Sequence, residues 1–203
     1  MHWMTKNALS IPIAVSARHV HLTEEHIAIL FGQQAKLTFD FDLSQPGQFA
    51  AKERVVIKGP KGEIEKVRVL GPARVASQVE VSKTDSFLLG LSPPIRQSGD
   101  VKNSEAILII GPCGEVQLKE GLIIAKAHIH MHTDDAFNFQ VSDGELVDVI
   151  VDSERPITFH QVVIRVSPNF KLEMHIDTDE GNASNLIRGY GYIRKLNRGE
   201  LYG

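Results

Sequence analysis

The sequence predicts a mainly-β protein of many short strands with few, short helices, in the manner of β-barrels or sandwiches. Three observations lead there. Short apolar or alternating runs recur along the 203 residues and are divided by Gly- and Pro-rich turns. A hairpin turn of the form Gly-Pro-x-Gly-Glu occurs twice, at Gly59-Pro60-Lys61-Gly62-Glu63 and Gly111-Pro112-Cys113-Gly114-Glu115. A histidine pair with similar flanks also occurs twice, as Arg18-His19-Val20-His21-Leu22-Thr23 and Lys126-Ala127-His128-Ile129-His130-Met131-His132-Thr133. Such repetition marks an internally repeated architecture of two related halves. No linker divides the chain, so the halves, if they are domains, are interleaved in sequence.

In chain order, residues 11–16 read as a strand with Pro12 near its start, where a missing N–H is tolerated. The first histidine pair follows. Thr23 is a good helix N-cap, Glu24 and Glu25 suit the first turn, and Ile27, Leu30 and Phe31 make the apolar stripe that ends at Gly32. His26 is expected on the exposed face of that helix. Residues 37–48 are mixed and close in the turn Ser44-Gln45-Pro46-Gly47. Strands are expected at 54–58 and 63–70 around the first hairpin turn, at 73–82 through Val75, Val79 and Val81, and at 106–110 and 115–118 around the second turn. Residues 82–89 read as a short helix capped by Ser82 or Thr84, and 91–100, with Ser92-Pro93-Pro94, as a loop. A strand over 122–127 feeds the second histidine pair. A short helix over 133–139 follows, with His132 as its polar cap or, extending the pair to His-x-His-x-His, as a further metal ligand. Strands at 146–151, 158–166 and 171–176 lead to a last helix start over 178–186, weakened by Gly181. The tail, 187–203, shows no period and is expected to be ordered in part at most.

Composition narrows the function classes. A net charge of −3, without a basic tract, gives no nucleic-acid signal. Cys113 is the one cysteine, so intrachain disulfides are excluded, which fits a reducing cytoplasm. It sits in a tight turn with no basic neighbour to activate it, and reads as inert. No run approaches the length of a membrane span, and the start of the chain lacks the apolar run of a signal peptide. The expectation is a cytoplasmic protein without nucleic-acid or membrane partners.

The histidines carry the chemistry. Residues i and i+2 of a strand face one side, so each pair aims two imidazoles at one point. Imidazole suits zinc, copper, iron and nickel. His175, at the end of a strand and among acids, is the obvious third ligand for His128 and His130; a hydrogen-bonded structural histidine is its other reading. His19 and His21 need a third partner, for which Glu80 is one candidate among 25 acids. Three protein ligands leave an open position of the catalytic kind. A cupin would place a glutamate soon after its histidine pair, where this chain has Asp134 and Asp135 on a predicted helix. His2 and His160 read as structural or exposed. Arg74, after the turn Gly71-Pro72, is either a surface ion-pair partner or a guanidinium fixed to grip phosphate.

Five stretches together are more specific than spacing. They are Val15 to Leu22, Asp42 to Glu53, Arg68 to Arg74, His128 to Met131 and Leu172 to Glu180. In order, across residues 11–186, they resemble the PduL-type phosphotransacylases (phosphate propanoyltransferases). The resemblance implies the reaction acyl-CoA + phosphate ⇌ acyl phosphate + CoA. It implies two pseudo-symmetric β-barrel domains with short capping helices, interleaved as 1–17 plus 126–203 and 18–125. It also implies a dinuclear site between them that holds two divalent metal ions, usually zinc. By resemblance His19, His21 and Glu80 hold one ion and His128, His130 and His175 the other. Arg74 matches the phosphate-binding arginine. Val15, Ser16, Ala17, Lys61, Arg68 and Asn182 match positions that contact CoA, and Ser98 lies in a loop bordering the site. His132-Thr133 and Phe137-Asn138-Phe139 depart from the family pattern without removing a ligand. Few residues precede the first strand, so the amphipathic extension that directs relatives into microcompartments is not indicated. A homo-oligomer is compatible with the sequence, which does not choose the acyl chain.

Two other classes remain at this stage. A dinuclear metal-dependent hydrolase of a thioester or phosphoester would use water in place of phosphate. A non-enzymatic scaffold would use the histidines for stability alone.

Overall fold

The computed structural model describes residues 9–195. In order its elements are β1 (Ser10–Ser16), β2 (His19–His21), α1 (Glu24–Phe31), β3 (Phe39–Asp42), β4 (Phe49–Lys58), β5 (Glu63–Gly71), β6 (Gln78–Glu80), α2 (Lys83–Leu89), β7 (Ile95–Arg96), β8 (Glu105–Ile110), β9 (Glu115–Ala125), β10 (His128–Met131), α3 (Thr133–Phe139), β11 (Leu146–Val151), β12 (Ile157–Val166), β13 (Glu173–Asp177), α4 (Thr178–Ala183) and β14 (Arg188–Lys195). The chain is mainly β and forms two compact units. One is Ala17–Lys126; the other joins the described residues up to Ser16 with those from Ala127 onward.

Each unit is a closed six-stranded barrel. In Ala17–Lys126 the ring runs β4-β5-β2-β6-β9-β8 and returns to β4, with β3 added beside β4 and β7 beside β9. In the other unit it runs β11-β12-β10-β13-β1-β14 and returns to β11. The directions match position by position. β2 is parallel to β5 and antiparallel to β6; β10 is parallel to β12 and antiparallel to β13. β6 is parallel to β9, and β13 to β1. The equivalents β9 and β1 therefore each lead directly into a histidine strand that belongs to the other barrel. Closure removes free edges from both rings.

A short motif occurs four times in these rings. It is His19-Val20-His21-Leu22-Thr23, Gln78-Val79-Glu80-Val81-Ser82, His128-Ile129-His130-Met131-His132 and Glu173-Met174-His175-Ile176-Asp177. The middle residue of each triplet, Val20, Val79, Ile129 or Met174, is fully buried in the core of its barrel. Strand alternation then turns the first and third residues to the opposite face. The last residue caps the helix that follows: Thr23 accepts from the His26 N–H, Ser82 from Asp85, His132 from Asp134 and Asp177 from Glu180. One local pattern thus fixes a core position, two outward polar positions and a helix start.

The two Gly-Pro-x-Gly turns do the same job as each other. The Lys61 N–H donates to the Leu89 carbonyl at the end of α2 (3.1 Å), and the Cys113 N–H donates to the Leu30 carbonyl near the end of α1 (3.0 Å). A Cβ on Gly59 would stand 2.3 Å from the Leu89 oxygen, and one on Gly111 2.4 Å from the Leu30 oxygen. Glycine is required because backbone meets backbone.

Three expectations need correction, and one is sharpened. Within the tail, the described part as far as Lys195 is a strand, since β14 pairs with β1 and β11 and closes its barrel. Its period was hidden because an inward position holds glycine: a Cβ on Gly191 would lie 2.6 Å from Val149 Cγ1. Residues 73–77 are not strand, and Val75 is fully exposed. That segment is instead drawn to the chain after β2, where the Arg74 N–H donates to the Leu22 carbonyl and Ser77 Oγ accepts from the Thr23 N–H. His26 is half-buried, with Nδ1 2.6 Å from Ser77 Oγ. The loop 91–100 contains the two-residue strand β7. His2 and Gly199 lie outside the described residues. No helix among the described residues is long and apolar enough to cross a membrane.

Candidate metal and phosphate site

In the Ala17–Lys126 unit the register sets His19 opposite Glu80 and His21 opposite Gln78. His19 Nδ1 lies 2.9 Å from the Ala17 carbonyl. A carbonyl only accepts, so Nδ1 carries a proton, and the neutral ring has its lone pair on Nε2. That Nε2 is 3.5 Å from Glu80 Oε2. His21 Nδ1 is buried without a hydrogen-bond partner, an arrangement that costs free energy unless a cation covers it. One donor atom from each of His19, His21 and Glu80 lies within 4.8 Å of the other two. Two imidazoles and a carboxylate, one nitrogen orphaned, fit a divalent ion of the zinc type.

Electrostatics favour the ligand-competent forms of Glu80 and His21. Burial alone would raise the Glu80 carboxyl, but the charges of His19 and His21 and hydrogen bonds from His19 and Ser98 outweigh it and hold it well below the usual carboxylate range. Burial, assisted by His19 and Arg74, drives His21 well below the ordinary imidazole value. Burial pulls His19 the same way, yet Glu80 overrides it and the pKa is raised. His21 is therefore neutral and Glu80 ionised at neutral pH.

A hydrogen-bond network supports this triad. Gln78 Nε2 donates to Glu80 Oε1 (2.6 Å) and to Ser98 Oγ (3.0 Å), while Gln78 Oε1 accepts from the Gly99 N–H (2.7 Å). Arg74 donates to the same Ser98 oxygen at 3.3 Å. The guanidinium thus stands beside the triad, near enough for its charge to act downward on both histidines, though Glu80 outweighs it at His19.

In the other unit His128 lies opposite His175, and His130 opposite Glu173. Ring centroids are 4.7 Å apart for His128–His130, 5.0 Å for His130–His175 and 5.3 Å for His128–His175. Phe170 packs on His130 at 4.3 Å. Ser16 Oγ is 3.4 Å from His175 Nδ1. This set converges as rings, whereas the first converges atom to atom.

The positions matched to CoA fall in both units. Val15 and Ser16 end β1; Val15 packs where Gly181 of α4 leaves room, a Cβ there standing 2.8 Å from Val15 Cγ2. Asn182 is exposed on α4. Ala17, Lys61 and Arg68 belong to the Ala17–Lys126 unit. Arg68 sits opposite His19 and is engaged by Asp40 Oδ2 (2.6 Å) and by the Phe41 ring (4.9 Å). Lys61 is at the hairpin tip. Arg68 is five residues into β5, roughly 17 Å further along the strand at about 3.3 Å per residue.

The model of the phosphate propanoyltransferase family matches residues 12–187. The chain belongs to the phosphate propanoyltransferase family. A phosphate propanoyltransferase of Priestia megaterium is 61% identical over 185 residues, 91% of this chain and 85% of that protein. One of Lachnoclostridium phytofermentans is 54% identical over 185 residues, covering 91% and 86%. One of Thermotoga maritima is 53% identical over 180 residues, covering 88% and 86%. This is a family of acyltransferases.

Two polar residues at the site escaped the sequence reading, Gln78 and Glu173. The available signal was the spacing of apolar centre and helix cap, which they share with the histidine pairs.

Proposed function

We propose that the chain transfers a short acyl group, propanoyl or acetyl, between CoA and phosphate, with His19, His21 and Glu80 holding one divalent ion and His128, His130 and His175 a second. Zinc is the metal we favour for both. The observation that carries the reading is the Arg74 guanidinium, tied through Ser98 and Gln78 to the Glu80 carboxylate. Such a cation binds phosphate and orients one of its oxygens toward the thioester carbonyl. When bound, the ions supply positive charge that offsets the charge on phosphate and on the oxygen of the attacked carbonyl. The new C–O bond forms to phosphate, the C–S bond breaks, and CoA leaves as a thiolate. A thiolate is a good leaving group, so no acyl-enzyme on Ser or Cys is needed. Val15, Ser16, Ala17, Lys61, Arg68 and Asn182 are assigned to CoA, with Lys61 and Arg68 as partners for its phosphates. A cytoplasmic location belongs to this reading and agrees with the free Cys113.

The test is conversion of propanoyl phosphate and CoA to propanoyl-CoA by purified protein, abolished by a chelator and restored by zinc. Thioester cleavage that proceeds equally well without phosphate would overturn transfer in favour of hydrolysis.

A further inference from the structure

Three of the four strand motifs lead into a helix whose N-terminus is closed by a capping box, with Asp85, Asp135 and Glu180 as the acids. Among the described residues only Asp85 of these three also carries an ion pair: Arg18 Nε donates to its Oδ2 at 2.8 Å and Nη2 to its Oδ1 at 2.6 Å. We infer that Arg18 is a positioning residue of the first triad, His19, His21 and Glu80. Through Asp85 it clamps the strand that carries His19 to the helix that follows Glu80, and so holds these two ligands at the spacing one ion needs. The inference rests on the reading that this triad holds a metal.

The first support is where the clamp falls. β2 and β6 are three residues each, and one end of their ladder is the pair His19–Glu80. A strand end is where pairing opens most readily. Arg18 immediately precedes His19, and Asp85 lies five residues after Glu80, so the clamp closes the ladder past its last pair. His19 Nε2 and Glu80 Oε2 stand 3.5 Å apart. Two donors bound at about 2.0–2.1 Å to one tetrahedral ion are about 3.4 Å apart. The clamped pair has that spacing.

The second support is the geometry of the ion pair. One planar guanidinium engages both carboxylate oxygens, a fork that fixes direction as well as distance. The Asp85 side chain is 1% exposed, so water does not compete for it. Asp85 Oδ2 also accepts from the Ser82 N–H at 3.2 Å, and Ser82 lies two residues beyond Glu80. On the other side of the clamp, the Ala17 carbonyl next to Arg18 accepts from His19 Nδ1 at 2.9 Å. Anchoring Arg18 therefore steadies both the strand on which His19 stands and the carbonyl that orients its ring.

The third support is contrast. In the other barrel Ala127 stands where Arg18 does, immediately before His128, and Glu180 takes the place of Asp85. The Glu180 box closes without an ion pair, and burial pushes its carboxyl up to about 7. The Asp135 box closes in the same way. A capping box is thus complete on its own, and the arginine on Asp85 answers to something else. What distinguishes its barrel is the convergence of three ligand atoms within 4.8 Å, which among the described residues occurs at His19, His21 and Glu80.

The experiment measures zinc binding to metal-stripped full-length protein by competition with a chromophoric chelator, and records the visible spectrum of the cobalt(II) form. The proteins compared are the unaltered chain, Arg18→Lys, the Arg18→Met/Asp85→Asn double variant and, to mark the bands of this triad, His19→Ala/His21→Ala. Lysine keeps the charge and gives up the fork. The Met/Asn variant leaves no buried charge unpaired and keeps an oxygen for the Ser82 N–H, so it guards against simple misfolding. Both arginine variants should weaken one zinc site by roughly 10- to 100-fold, leave the other alone, and shift the cobalt bands that His19→Ala/His21→Ala abolishes. Two tight zinc sites with unchanged cobalt bands overturn the inference, even where the metal-free unfolding midpoint falls, because the pair is then structural alone. Equal weakening of both sites overturns it as well. If the double-histidine variant loses one ion while both arginine variants keep two, the positioning inference alone falls. If the double-histidine variant also keeps both, the metal reading of this triad falls with it.

Discussion

Ser98→Ala removes one oxygen that serves both halves of the proposed chemistry. Ser98 Oγ accepts from Arg74 at 3.3 Å and from Gln78 at 3.0 Å, and its hydroxyl helps to hold the Glu80 carboxyl low. The Arg74 contact is long, so its loss falls at the weak end of hydrogen bonds to charged groups, about 1 kcal/mol, or roughly 5-fold. That should appear as a higher KM for phosphate, with the KM for acyl-CoA unchanged. The bond to Glu80 joins an ionised, buried acceptor and contributes on the order of 1.5 kcal/mol. Its loss should weaken zinc at the first triad about 10-fold, partly buffered by the 2.6 Å bond from Gln78. Steady-state kinetics with each substrate varied, together with a zinc titration on the same preparation, read both effects. Unchanged phosphate KM and unchanged zinc affinity would refute the claim that Ser98 joins the arginine to the metal ligand.

Three further outcomes are expected. Burial, with Asp177 and Asp179 adding to it against a hydrogen bond from the Asp177 N–H, pushes Glu180 up to about 7 from 4.5. The folded state then holds a proton that the unfolded state has lost, so this contribution is complete below about pH 4.5 and is lost as pH rises through about 7. Glu180→Gln keeps an acceptor for the Asp177 N–H, and should stabilise the protein by about 1–3 kcal/mol at pH 8 but hardly at pH 4.5. Equal shifts in denaturant midpoint at both pH values would contradict this. Gly111→Ala should destabilise by about 1–3 kcal/mol in the same assay, because its Cβ would meet the Leu30 oxygen at 2.4 Å. Cys113→Ala in the same turn keeps the N–H that binds Leu30 and should stay within about 0.5 kcal/mol.

What could be read from the chain alone was chemistry that acts over a few residues. Thr23, Ser82 and His132 stand as helix caps because an N-cap needs only its own side chain and the next turn. The two Gly-Pro-x-Gly turns are legible for the same reason, although the helix ends that demand their glycines are not. Illegible features depend on partners far along the chain. His26 reads as exposed because the Ser77 hydroxyl that it meets is 51 residues away. β14 reads as aperiodic because Gly191 takes an inward position, where a Cβ would meet Val149 of the neighbouring strand. The absence of a linker has a structural basis: the chain leaves one unit after Ser16, enters the other at Ala17, and returns between Lys126 and Ala127.

The site was half legible for a further reason that lies in the motif itself. Folding constrains its second residue, which must be apolar to fill the core, and its fifth, which must cap a helix. The first and third positions face away from the core, and folding leaves their identity open. Where both are histidine, as at His19-His21 and His128-His130, the pattern reads as a candidate metal site. Where they are Gln78-Glu80 or Glu173-His175, the same strand carries the same geometry under residue types common on any solvent-facing strand. Glu80 and His175 occupy equivalent places, opposite His19 and His128, so one architectural slot supplies the third ligand that we propose for each ion. The two proposed ligand sets differ in that slot, which holds a carboxylate in one barrel and an imidazole in the other. A carboxylate adds a negative charge that an imidazole does not, so an ion held by the first set would keep less net positive charge than one held by the second.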